Sequence, residues 1–329
     1  MVSICFRSKK KIMRNSFKFP AAIIPIVCFL SFCSCTAKKY KDDTTPSFKS
    51  NSLDERLLNM NTLFTNSVLK ENLEERLKYY TDETLCMPEY QLSMRGVKMI
   101  ESYFLEIFKR EEVELFEKEI FEVITMGNTL VELGTFKKEY RLLGKQNLLK
   151  QNGKYCNVWQ VQTDNSLKLK AECWGYFHPI ENPESLVVSS ANTLEDIPVD
   201  VNNHIAFELM AVNALMEKGV KTHNAALRSS FFTDDGMFLP FADSIKSGFG
   251  NINEHLIEYT SNNVSIDSIH VYNQGFEVLG DYVIEYPKFF VSWSLPEAKG
   301  ISHGKGIRVW QRQADCTLKL YREIGLHNQ

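Results

Sequence analysis

The sequence predicts an α+β protein in which one small domain is present twice, each copy opening with helices and closing on long strands. Three observations carry this. Residues 153–169 align without gaps on residues 304–320, and ten of the seventeen positions are identical, where average composition gives about one. Arg76, Thr81-Asp82, Pro88, Gly96 and Ile100 recur in the same order as Arg228, Thr233-Asp234, Pro240, Gly248 and Ile252. Helical periodicity comes early in each copy and strand-like runs come late.

The first copy is assigned to residues 52–178 and the second to 202–329, each of ordinary domain size at about 125 residues. Residues 179–201 lie between them, with Pro183, Pro198, serines and acids, a linker composition. Copy one opens with Leu57, Asn61, Phe64 and Val68 at helical spacing, and copy two with Phe207, Met210 and Ala214. Short strands follow at 85–87 and 237–239, each stopped by a proline. A second amphipathic helix starts after Gly96 or Gly248, with Ile100, Phe104 and Phe108 on one face of the first. Longer strands then cover 121–125, 129–140, 155–161 and 167–177, and in copy two 265–272, 282–293, 306–313 and 318–324. The segments 163–166 and 314–317 have the residue types of hairpin turns. The helices are expected to cover one face of a curved antiparallel sheet.

The N-terminus reads as a targeting segment. Residues 1–35 hold six of the 38 basic residues and none of the 41 acidic ones, which leaves 32 against 41 in the remainder, a net of −9. That balance repels phosphate backbones and argues against nucleic acid as a partner. A basic stretch, an apolar run over 19–32 and the small residues before Cys35 have the layout of a secretory signal. Leu30-Ser31-Phe32-Cys33-Ser34-Cys35 resembles a lipobox, with Cys35 the lipid-modified residue. An ordinary secretory signal or a single membrane anchor is the alternative. Residues 36–51 then form a charged tether, in which Lys41-Asp42-Asp43 is similar to the signal that sends Bacteroidota lipoproteins to the cell surface. The expectation is a chain lipid-anchored to the outer membrane, periplasmic or surface-exposed.

Tyr80-Thr81-Asp82-Glu83 followed by Met87-Pro88, Phe232-Thr233-Asp234-Asp235 followed by Leu239-Pro240, Arg95-Gly96, and the closing Gly-Lys…Val-Trp-Gln…Gln…Asp…Leu-Lys-Leu strand pair resemble the SnoaL-like superfamily. This is also called the ketosteroid-isomerase-like or nuclear-transport-factor-2-like fold. The resemblance covers nearly all of the mature chain, twice. It implies two cone-shaped α+β barrels, each enclosing a largely apolar pocket, and a pseudo-dimer within one chain. It implies little about chemistry, because the fold hosts isomerases, cyclases, dehydratases and binding modules. Ketosteroid isomerases carry their base as an Asp before the proline of the first strand. Here Met87 and Leu239 stand there, with Cys86 and Phe238 before them, and none is a carboxylate.

The candidate pocket lining is Tyr80, Met87, Glu89, Trp159, Phe232, Leu239, Tyr286 and Trp310, with Met87 and Leu239 expected to face the interiors of their cones. Glu89 and Tyr90 read as a solvated loop or as a pocket mouth that copy two, with Phe241 and Ala242, replaces by apolar residues. Trp159 and Trp310 recur at one repeat position and read as core anchors compatible with a pocket wall. Tyr282, Ile284 and Tyr286 alternate on one strand face. The seven histidines are scattered without metal-ligand spacing, and there is no phosphate loop or nucleophile elbow. No cofactor and no catalytic set is assigned. Cys156 and Cys173 fall opposite one another if the hairpin is tight; free buried thiols are expected. The leading function is a non-enzymatic module that holds a small apolar ligand or a protein partner. The alternatives are a SnoaL-like isomerase, dehydratase or hydrolase using an acid such as Glu89 or Glu132, and a structural pseudo-dimer without ligand.

Overall fold

The computed structural model describes residues 50–191 and 203–328, with side chains from Glu55 onward. Cys35, the tether up to residue 49 and part of the 179–201 segment lie outside the described residues; Ser50 and Asn51, assigned to the tether, instead open the first helix. Copy one runs α1 (Ser50–Leu69), α2 (Leu73–Leu77), β1 (Leu85–Pro88), β2 (Met94–Arg95), α3 (Val97–Phe108), β3 (Glu111–Met126), β4 (Thr129–Leu142), β5 (Leu148–Val161) and β6 (Leu167–Tyr176). Two 3₁₀ turns follow, Pro183–Leu186 and Ser189–Ala191. Copy two repeats the order as α4 (His204–Lys221), α5 (Ala225–Ser229), β7 (Phe232–Leu239), β8 (Lys246–Ser247), α6 (Phe249–Thr260), β9 (Ser265–Leu279), β10 (Tyr282–Leu295), β11 (Ala298–Arg312) and β12 (Leu318–His327). Each copy folds into one six-stranded sheet, β2-β1-β6-β5-β4-β3 and β8-β7-β12-β11-β10-β9. The expected α+β class with helices on a curved sheet is what the chain adopts.

The sheets are mixed rather than antiparallel. β1 runs parallel to β6 and β7 parallel to β12, because α3 and the meander return the chain to the far side of the first strand. The α2 and α5 turns have the same cap: the side chains of Asn72 and Asn224 accept from the backbone N–H three residues on, at 3.0 and 2.9 Å. Gly96 and Gly248 recur because both open a helix at positive φ, 86° and 79°, and a Cβ at Gly96 would meet the Asp82 carbonyl oxygen at 2.9 Å.

In α1 the predicted face is the buried one, Leu57, Asn61, Phe64 and Val68. In α4 it is not. Phe207 and Met210 are 59% and 53% exposed, and the buried stripe is Ile205, Leu209, Asn213 and Met216. Apolar residues occur on both faces of α4, so periodicity alone chose wrongly; a hydrogen bond from buried Asn213 to Glu285 decides the face.

The two sheets meet on their outer faces. Met87, Val131, Cys156, Val158 and Cys173 of copy one form a single buried cluster with Leu239, Ile284, Tyr286, Ile307, Val309, Ile324 and Leu326 of copy two. Lys154 and Lys305, equivalent by the repeat, are both buried there. Lys154 Nζ donates to the Asp243 carbonyl at 2.9 Å, and Lys305 Nζ donates to the Gln91 carbonyl. Gln91 and Asp243 are themselves equivalent positions, so the contact is reciprocal in the manner of a two-fold interface. Burial lowers both ammonium groups below the usual lysine range. Cys156 and Cys173 are paired directly across β5 and β6, and both are free thiols.

Candidate functional site

Period-two alternation along β5 and β6 sends one set of side chains to the interface and the other into the cone. Asn157 and Trp159 point inward between interface residues Cys156 and Val158, as do Glu172 and Trp174 beside Cys173. The matching residues of copy two are Arg308, Trp310, Glu323 and Gly325. A β-bulge falls at Val158/Trp159 and again at Val309/Trp310.

Each cone holds the same buried polar set around its tryptophan. In copy two, Glu285 accepts from Trp310 Nε1 at 2.8 Å and from Asn213 Nδ2 at 2.7 Å. Arg308 donates to Asn213 Oδ1 at 2.8 Å and to Glu323 Oε1 at 2.7 Å, and Arg228 donates to both oxygens of Glu323 at 3.2 and 3.0 Å. Burial works to raise the Glu323 carboxyl, but the two guanidinium groups outweigh it and hold the group below the usual carboxylate range.

In copy one, Glu132 accepts from Trp159 Nε1 at 2.7 Å, Tyr155 Oη at 2.7 Å and Asn61 Nδ2 at 3.1 Å. The cation comes from a different strand. Lys118 on β3 reaches Asn61 Oδ1 at 2.6 Å and Glu132 Oε1 at 3.3 Å. Its counterpart is Val271, since Lys118 pairs with Phe136 and Val271 with the equivalent Phe289. Burial lowers the Lys118 ammonium, and Glu132 offsets part of that. Glu172 accepts from Tyr80 Oη at 2.7 Å and Cys86 Sγ at 3.1 Å, where copy two has Phe232 and Phe238. Burial pushes the Tyr80 hydroxyl and the Cys86 thiol well above their ordinary ranges.

Asn157 is shorter than Arg308 and leaves the centre of the copy-one cone open. A cavity of about 100 Å³ lies there, beside Arg76, Lys118, Asn157 and Glu172. Phe64, Tyr103, Phe104, Tyr155 and Trp174 supply its ring walls, and Leu186, from the first 3₁₀ turn, joins them. Arg76 is 4% exposed and sits between two rings, 4.2 Å above Phe64 and 3.7 Å above Phe104. Its charged partner Glu172 is 3.7 Å away, and its Nε has no hydrogen-bond partner among the described residues.

None of the eight residues selected from the sequence lines this cavity. Met87 and Leu239 face the other copy rather than their own cones; the inward residues of those strands are Cys86 and Phe238. Tyr286 also lies in the intersheet cluster, its hydroxyl donating to Glu277 at 2.7 Å. Glu89 is no solvated loop residue: it is 1% exposed, accepts from the Tyr176 N–H at 3.1 Å, and is raised by burial against the pull of Lys154. Trp159, Trp310, Tyr80 and Phe232 are core residues beneath or beside the polar sets. What sequence reading missed is the recurrence of Asn61/Asn213, Glu132/Glu285 and Glu172/Glu323. Extending the repeat alignment past its closing hairpin exposes all three pairs. Among the described residues no group of His, Cys, Asp and Glu could hold a metal ion, and no helix is long and apolar enough to cross a membrane.

No protein-family model matches the chain, and no curated protein matches it. Solved structures similar to it each span about one copy. A ketosteroid isomerase-like protein from Erwinia carotovora is 11% identical, covering 38% of this chain and 96% of its own, with a TM-score of 0.36. A putative calcium/calmodulin-dependent protein kinase II association domain from Xanthomonas campestris is 11% identical over 41% and 96%, TM-score 0.34. An NTF2-like protein from Cytophaga hutchinsonii is 12% identical over 38% and 98%, TM-score 0.32.

Proposed function

We propose that the protein is an envelope lipoprotein in which copy one binds a small ligand without transforming it and copy two is its filled structural partner. One observation carries the reading: the same polar set encloses a cavity where position 157 is Asn and a guanidinium where position 308 is Arg. The carboxylates beside the cavity argue against proton abstraction. Glu132 already accepts from four side chains; of the two carboxylates on the wall, Glu172 accepts from Tyr80 and Cys86 and lies 3.7 Å from Arg76, and Glu111 is paired with Lys138. A general base needs a lone pair aimed at substrate. Glu89, the other acid considered, is at the interface between the copies and away from the cavity.

Xenon tests the asymmetry without knowledge of the ligand, because it enters small apolar cavities. Pressurised crystals are expected to show xenon in the copy-one cavity, beside Trp174 and Asn157. Xenon inside the copy-two cone, with none in copy one, contradicts the proposal.

The membrane half of the proposal rests on the basic and apolar N-terminus and on Cys35. Cys35→Ser is expected to abolish incorporation of labelled fatty acid in cells, since no other nucleophile replaces the thiol there. Undiminished labelling of that variant moves the site to Cys33.

A further inference from the structure

We infer that the copy-one cavity takes an uncharged molecule no larger than a single ring, carrying one hydrogen-bonding group. This rests on the reading of copy one as the ligand-bearing half and adds the class of ligand. Size comes first. A cavity of about 150 Å³ with apolar walls holds one benzene; this one, at about 100 Å³, is smaller, so a single ring is the upper limit. Multi-ring compounds do not fit.

Charge comes second. Every ionised group on the wall already has an opposite partner: Arg76 with Glu172, Lys118 with Glu132, and Lys138 with Glu111. An ionic ligand would add an uncompensated charge to a site where these groups are nearly all buried, which is strongly unfavourable.

Polarity comes third. Asn157 is 4% exposed, lines the cavity, and its amide makes no side-chain hydrogen bond to a described residue. An amide both donates and accepts. A purely apolar ligand leaves the Asn157 amide unsatisfied, whereas a carbonyl or hydroxyl on the ring satisfies it.

The test is calorimetric titration of the full-length protein with phenol, benzamide, toluene, benzoate, benzylammonium and androstenedione. Phenol and benzamide are expected to bind, with toluene about tenfold weaker. Benzoate and benzylammonium are expected to be at least tenfold weaker than benzamide, and androstenedione not to bind. Asn157→Leu is expected to bring phenol down to the level of toluene. The comparison among probes uses the unaltered chain, so it does not depend on how a variant folds. Benzoate, benzylammonium or androstenedione binding as well as benzamide overturns the ligand class while leaving the pocket in place, provided that binding is lost in Lys118→Val/Asn157→Arg. Binding that persists in that filled variant, or no binding of any probe, overturns the pocket reading and this inference with it.

Discussion

Glu323→Ala is expected to destabilise the protein by about 3–5 kcal/mol, the usual cost of stripping one partner from a buried ion pair. The residue is 4% exposed and holds two guanidinium groups, Arg228 through both oxygens and Arg308 at 2.7 Å. Its loss strips Arg228 of its carboxylate partner, while Arg308 keeps Asn213 at 2.8 Å and Glu285 at 3.6 Å. The effect depends on pH with a definite sign. The folded-state pKa of Glu323 lies below its usual value of 4.5. A carboxyl lowered on folding contributes stability that is fully present above the unfolded-state pKa and is lost as pH falls through the folded one. Urea unfolding is therefore expected to show the full difference between wild type and variant at pH 7 and a shrinking difference in acid. Glu172→Ala is expected to cost less, because it faces one guanidinium at 3.7 Å rather than two at hydrogen-bond distance. Equal costs at the two positions would show that the copies do not differ as described.

The fold was legible because the repeat doubles every signal. Gly96 and Gly248, the two prolines and the Asp-centred turns each mark a boundary twice, and the turns close as expected, with Ser166 and Thr317 N–H groups donating to Asp164 and Asp315 at 2.9 and 3.0 Å. The site was less legible, for a reason that lies in the packing. A strand buried on both faces carries apolar residues on both, so pattern does not say which face is the cone. Met87 and Leu239 are as buried as Cys86, yet they belong to the contact between copies. Strand ends were lost for a related reason: Glu, Lys and Asn recur along 111–120 and 148–154, and the cross-strand pairs Lys138–Glu111 and Lys150–Glu139 hold those polar stretches in the sheet. Burial of the ion pairs is likewise a tertiary fact. Arg76 and Arg228 served as landmarks of the repeat, but nothing local in the sequence places Glu172 or Glu323 beside them, 96 and 95 positions along the chain.

Lys118→Val/Asn157→Arg gives the copy-one cone the side chains that copy two carries at the same places, Val271 and Arg308. The new guanidinium meets the acceptors that Arg308 has, namely the equivalent Asn61, Glu132 and Glu172. One cation replaces another, so the charge count of the cone is unchanged and the chain is expected to stay folded. Binding of phenol and benzamide is expected to fall at least a hundredfold, because the side chain occupies their space. The crystal structure of this variant under xenon is the most direct measurement of the account. It is expected to show the guanidinium within hydrogen-bond distance of Glu132 and Glu172 and no xenon in copy one. A folded variant that still admits xenon beside Trp174 and residue 157 would contradict the claim that residues 157 and 308 decide which copy is open.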